Sequence, residues 1–173
     1  MAATTPKPIP WKMPPIVKVY EAIGAIADGR VEDSGEHSVQ VASSDGTRRY
    51  DVEIGDDGRE VSSNDNASFW QGYLGYPAIA VLIRRGMYTP DDRTFEALRG
   101  IPWREINQRL RNDWDKTVAE VERHAADRGF DIAAIRADAE AIMVALVKLQ
   151  LYRGARRRPP TDKQKTAKRA APS

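Results

Sequence analysis

The hydrophobic period of this chain changes twice, and that change constrains the fold more than any other feature. Between Pro14 and Gly29, the residues Ile16, Val19, Tyr20, Ile23, Ile26 and Ala27 recur at three and four, the spacing that gathers side chains on one face of a helix. From Val39 to Val61 the period falls to two. Val39 and Val41 alternate with polar residues, and Tyr50, Val52 and Ile54 alternate with Arg49, Asp51 and Glu53, as the side chains of a half-buried strand do. Beyond Pro77 the helical period returns. Helices on both sides of a short run of strands exclude a pure bundle and a pure sandwich, which leaves an α+β domain.

Turn chemistry sets the boundaries. Pro14-Pro15 open the first helix and Gly29 closes it, predicting a helix over 15–28. Ser44-Asp-Gly-Thr47 and Asp56-Asp57-Gly58 separate three consecutive strands, and a meander of that size needs helices to cover its apolar face. Pro77 to Arg85 is apolar almost to its end and reads as a buried helix, stopped by Gly86. Thr89-Pro90-Asp91-Asp92 starts a short helix to Arg99. Trp103, Ile106, Leu110, Trp114, Val118, Val121 and Ala125 form one stripe, predicting a single long helix from Ile101 to Gly129. Asp131 caps another, whose Ile135, Ala139, Ile142 and Leu146 again share a face. The expected architecture is a small three-stranded antiparallel meander packed with four to five helices, ending in a long antiparallel helical hairpin with Leu110 and Leu146 inside it.

A chain of 173 residues with 41% hydrophobic content has the size of one core. The expected division is an extended, proline-bearing N-terminal arm over 1–13 with Trp11 as its anchor, a single α+β domain over 14–152, and a disordered basic tail over 153–173. That tail holds eight Lys/Arg against Asp162 alone, and the whole chain carries only +2, so the body is acidic and the tail suits a polyanion, nucleic acid first. The candidate polyanion-binding residues are Arg84, Arg85, Arg153, Arg156, Arg157, Arg158, Lys163 and Lys165.

The chain has no cysteine and two histidines, His37 and His124, which removes disulfides, thiolate metal sites and cysteine nucleophiles together. No Gly-x-Ser-x-Gly elbow presents a serine, and no Walker or dinucleotide glycine loop is present. The acids Asp51, Glu53, Asp56, Asp57 and Asp65 read as solvated carboxylates. No cofactor, metal or catalytic residue is expected. The most apolar window, Ala78 to Ile83, is far shorter than the roughly 20 residues a bilayer needs. With no secretory start and an Ala/Arg/Asp-rich composition of bacterial style, a soluble cytoplasmic protein without a membrane partner is expected.

The densest unusual stretch runs from Ser62 to Tyr76. Asn64, Asp65 and Asn66 can hydrogen-bond a ligand, Trp70, Tyr73 and Tyr76 offer stacking faces, and Gly72 and Gly75 allow close backbone approach. These six side chains are the candidate ligand-binding residues. The opposing reading makes the stretch a plug between meander and buried helix. The expected division puts Phe69 and Leu74 inside, and Asn64, Asp65, Trp70 and Tyr73 on a partly exposed rim.

Tyr50-Asp-Val-Glu-Ile54, the turn at Gly58, Val61-Ser-Ser63, Phe69 and Gly75-Tyr-Pro-Ala-Ile-Ala-Val-Leu82 together resemble the hairpin-then-helix layout of SWIM-type zinc domains, over residues 50–83. Where that family carries Cys-x-Cys and Cys-x-His, this chain has Ser62 and Ser63, then Gly75, Tyr76 and Pro77. The resemblance implies DNA or protein binding, with zinc replaced by packing of Phe69, Trp70 and Tyr73. The sequence therefore favours a non-enzymatic binding or adaptor domain that associates with nucleic acid through its tail. Two alternatives stand beside it: a small-molecule or catalytic site in 62–76, and a homodimeric interaction module built on the two long helices.

Overall fold

Pro14 and Pro15 lead the chain into α1 (Val17–Ala27), the helix around which the rest is arranged. Every residue from Val17 to Ala25 is buried, Lys18 and Glu21 included. Helices α2 (Tyr76–Arg84) and α3 (Asp92–Leu98) lie along α1, while α5 (Trp114–Asp127) and α6 (Ile132–Leu149) touch it elsewhere. Gly24 allows the closest approach, because a Cβ there would sit 2.7 Å from the Trp103 indole nitrogen and 3.1 Å from the Leu98 carbonyl. Trp103 begins α4 (Trp103–Arg109). This computed structural model describes residues 4–161, so the expectations for the tail beyond that point, Lys163 and Lys165 among them, lie outside the described residues.

The sheet has five strands in the order β1 (Val31–Asp33), β2 (Ser38–Ala42), β3 (Arg49–Ile54), β4 (Glu60–Ser63) and β5 (Tyr152–Arg153). The first four form an antiparallel meander, in which Val41 faces Tyr50, Val39 faces Val52 and Ile54 faces Val61. Those six side chains make the buried face, against which α2 packs. The fold is α+β; the described residues hold five strands where the hydrophobic period showed three, and six α-helices plus a π-helical turn at Ala67–Gln71. β1 is three residues with one apolar side chain, and β5 is a two-residue strand parallel to β4. Neither leaves a period to detect.

The long helix expected from Ile101 to Gly129 is two helices. Arg111 and Asn112 adopt φ of 53° and 58°, and the Asp113 carboxylate then accepts the Lys116 N–H at 3.2 Å to cap α5. A left-handed pair followed by an N-cap ends one helix and starts the next. Leu110 is consequently a half-buried residue at the break, not part of the core, whereas Leu146 is 5% exposed.

The two chain ends are tied together. Trp11 N–H donates to Leu151 O at 3.1 Å, Arg153 N–H to Ile9 O at 2.8 Å and Gly154 N–H to Val61 O at 3.0 Å. The Trp11 indole N–H also reaches Val61 O, at 3.2 Å. Within the stretch expected to be a disordered tail from residue 153, Arg153 is part of a strand and Arg156 and Arg157 bond the body. Among the described residues no helix is long and apolar enough to cross a membrane.

Two carboxylates cross-link the helices. Glu122 accepts the Tyr20 hydroxyl at 2.6 Å and both Arg136 Nε and Nη2, at 3.0 and 2.6 Å, joining α1, α5 and α6. Asp138 on α6 accepts the Tyr88 hydroxyl at 2.7 Å, the Asp91 N–H at 3.0 Å and the Thr94 hydroxyl at 2.5 Å.

Candidate functional site

Three segments meet beside the buried end of the sheet: the start of α1, the β2–β3 turn, and the stretch from Asp65 to Tyr76. Asp45 organises the turn, accepting the Ser43 hydroxyl at 2.7 Å and the Thr47 N–H and hydroxyl at 3.0 and 2.8 Å. The turn is pinned to α4. Arg104 donates its N–H to the Ser44 hydroxyl at 2.9 Å and its guanidinium to Asp45 at 2.9 Å. Partial burial opposes ionisation of Asp45, but the donors from Ser43 and Thr47, with Arg104 nearby, outweigh it and hold the carboxyl down at about 2.

Asp65 is the hinge of the predicted stretch. It is 4% exposed and accepts the Ser63 hydroxyl at 2.5 Å, the Ser68 hydroxyl at 2.6 Å and the Ser68 N–H at 3.0 Å. Ser68 Oγ in turn accepts the Gly75 N–H at 3.2 Å. A Cβ on Gly75 would lie 2.0 Å from the Asp65 carboxylate. Glycine is thus required by close approach, and this network fixes the π-helical turn on the start of α2.

Around these supports lies a cavity of about 470 Å³ lined by Asp65, Asn66, Trp70, Tyr73 and Tyr76 together with Lys18, Glu21, Arg30, Arg48, Arg104 and the ring systems of Tyr50, Trp103 and Trp114. The structure brings together five of the six residues singled out in the sequence. Asn64 is the exception: it is buried behind the cavity, where its side-chain oxygen accepts the Asp51 N–H at 2.7 Å and holds the end of β4 to β3. The expected rim is also corrected in its membership. Asn64 and Asp65 are buried, Tyr73 is half-buried, and Trp70 alone of the four is open, at 68% exposed.

Leu74 is 2% exposed. Phe69, expected beside it in the core, is only partly buried; its ring meets Trp70 edge-on at 4.6 Å and is covered by the Arg156 guanidinium at 4.2 Å. Phe69, Trp70 and Tyr73 therefore form no common plug in place of a metal.

The cationic side of the cavity was missed in the sequence. Lys18 stacks over Trp114 at 4.3 Å and bonds Glu21 at 3.2 Å, and Glu21 also accepts the Asn107 amide at 2.7 Å. Arg30 gives Nε to Asp28 at 3.2 Å and Nη1 to Ala42 O at 2.7 Å, while its buried Nη2 has no acceptor. The available signal was a Lys–Glu pair three residues apart inside an otherwise apolar helix, which burial makes expensive unless it is used. Burial pushes the Tyr50, Tyr73 and Tyr76 phenols upward, so all three are neutral hydrogen-bonding groups at ordinary pH.

The candidate polyanion residues do not form one surface. Arg84, with Arg85 beside it, bonds Val31 O and Asp33 at the C-terminal end of α2. Near its other end, Arg153 donates to Gly72 O at 3.2 Å, Arg156 to Phe69 O at 3.2 Å and Arg157 to Glu53 at 2.7 Å, with Arg158 exposed beyond them. These bonds strap the C-terminal segment across the turn that carries Trp70.

The chain is thus an α+β protein with an aromatic and cationic cavity between α1, the meander and α4. It belongs to the family described as uncharacterised conserved protein UCP014422, whose model matches residues 11–152. No curated protein and no solved structure matches it. The matched span runs from the docked Trp11 to the first residue of β5 and takes in every residue of the cavity.

Proposed function

We propose that this protein is a small-molecule-binding domain whose cavity takes an anionic ligand. The observation that carries this reading is the imbalance of the lining. Lys18, Arg30, Arg48 and Arg104 line a space whose own lining holds two carboxylates, Glu21 and Asp65, and both already accept several protein donors. Asp28 and Asp45, outside the lining, pair with Arg30 and Arg104, yet the buried Arg30 Nη2 keeps a donor to spare. Positive charge gathered in a concave, partly desolvated site raises the local concentration of anions and strengthens their hydrogen bonds. The volume falls within the range of about 300–1,000 Å³ usual for small-molecule sites.

Binding, not catalysis, fits the groups present. The acids are locked in structural bonds, and the tyrosines are held neutral. Thermal unfolding of the full chain in rising orthophosphate at low ionic strength tests the reading. Stabilisation that saturates, weakens with added sodium chloride and is reduced in Arg104→Gln is expected. A melting temperature indifferent to phosphate and to small carboxylates contradicts it.

A further inference from the structure

Resting on the reading of the cavity as an anion site, we infer that its ligand is a phosphate ester bearing a planar heterocyclic ring, a nucleoside monophosphate in its simplest form. The chain has four tryptophans and six tyrosines; three of each line this one cavity, Trp70, Trp103 and Trp114 with Tyr50, Tyr73 and Tyr76. Several of these rings have structural work. Trp103 is 3% exposed and packs on Gly24, and Tyr50 meets Tyr76 edge-on at 6.2 Å. Trp70 has none that accounts for its position: at 68% exposed it presents open indole surface at the mouth. Leaving that apolar area in water is unfavourable, and a planar ring laid on it would cover the area and gain stacking energy.

The groups beside Trp70 match the edge of such a ring. Asn66 and Gln71 belong to the turn that carries Trp70, while Gln108 and Asn112 stand at the end of α4, and all four line the cavity. All four are exposed, and their side-chain amides have no hydrogen-bond partner among the described residues. Each amide offers both a donor and an acceptor, which suits a heterocyclic base with mixed edges and is wasted on a bare anion. Another part of the lining supplies the complementary half, since Lys18, Arg30 and Arg104 carry the donors a phosphate needs. Cations and ring-recognising groups thus line the same cavity and can serve two parts of one ligand. At about 470 Å³ it has room for a mononucleotide and not for a strand.

The test titrates the full chain at low ionic strength, by calorimetry and by tryptophan fluorescence, with orthophosphate, uridine, uridine monophosphate and glucose phosphate. Uridine monophosphate is expected to bind more tightly than orthophosphate, uridine or glucose phosphate. Trp70→Ala should weaken it about 5- to 150-fold, the usual range for losing one stacked base, while leaving orthophosphate affinity unchanged. A Gln71→Ala, Gln108→Ala double variant, both exposed, repeats the test should Trp70→Ala lose its fold. Uridine monophosphate binding no more tightly than orthophosphate, or a Trp70→Ala affinity equal to that of the unaltered protein, overturns the ring subsite and leaves the anion site standing. Glucose phosphate binding as tightly as uridine monophosphate overturns it in favour of a sugar. Failure of every anion to bind overturns the reading of the cavity itself.

Discussion

Two regions of this molecule take charged side chains out of water, and they are finished to different degrees. In the helical region, Glu122 and Asp138 each have three protein donors, and these bonds tie α1, α5, α6 and the residues around Asp91 into one body. Around the cavity, Arg30 keeps a buried nitrogen without an acceptor, four amides face solvent, and Trp70 stands open. A polar group that is buried and satisfied contributes to stability or specificity of packing; one held at a concave surface with capacity to spare costs stability and is kept for something else. The contrast separates a frame from a site.

That separation is sharpest in substitutions that damage one region and spare the other. Leu98→Ala, at a fully buried position on α3 against α1, should destabilise by about 2–5 kcal/mol in denaturant unfolding. Orthophosphate affinity of the folded fraction should be unaltered; a parallel loss of affinity would merge frame and site. Next in size is Tyr20→Phe, which leaves Glu122 paired with Arg136 and removes one buried bond, for about 1 kcal/mol. The Glu122 carboxyl is lowered from its ordinary value, chiefly through Arg136 and against the opposing effect of burial. Its contribution to stability is therefore present above the ordinary carboxylate range and is lost on acidification through its lowered value.

A smaller effect belongs to the strap. Arg156→Ala removes a bond to Phe69 O and the cover of the Phe69 ring, and about 1 kcal/mol or less should be lost. The change should show instead as a shift in Trp70 fluorescence, because Phe69 and Trp70 share the turn. No spectral change would mean that the lip is set by Asp65 and Gly75 alone. Smallest of all is the acid response of the β2–β3 turn. Asp45 has its carboxyl lowered from 3.8 to about 2, so the stability it adds is complete above roughly pH 4 to 5 and fades as pH falls toward 2. The difference in melting temperature between the protein and Asp45→Asn should shrink over that interval.

Legibility in the sequence followed the same division. The frame was readable wherever one period ran long enough: α1, the β2–β3 hairpin and α6 each follow from apolar spacing. It failed at Leu110 to Asp113, where a helical stripe continues through a break whose cause is the left-handed Arg111-Asn112 pair and the Asp113 cap. Local conformation there overrides periodicity. β5 was invisible because its two residues gain their partner from Glu60 and Val61, far away in the chain. At the cavity, composition pointed to the aromatic half, since Trp70, Tyr73 and Tyr76 crowd one stretch. Lys18 on α1, Arg30 in the link to β1 and Arg104 on α4 lie apart in the chain, and only the fold brings them to the same space.

The central claim is that the aromatic lip is retained for a ligand and not for stability, and Trp70 decides it. Denaturant unfolding of the full chain and of Trp70→Ala should be compared without ligand and with saturating uridine monophosphate. The account predicts unfolding midpoints that nearly coincide without ligand, since a side chain 68% exposed has little buried surface to lose, and a ligand-induced rise in the full chain that Trp70→Ala largely lacks. A Trp70→Ala protein that is several kcal/mol less stable without ligand, on the scale of about 3–5 for a buried aromatic, and that responds to ligand as the full chain does, would contradict it.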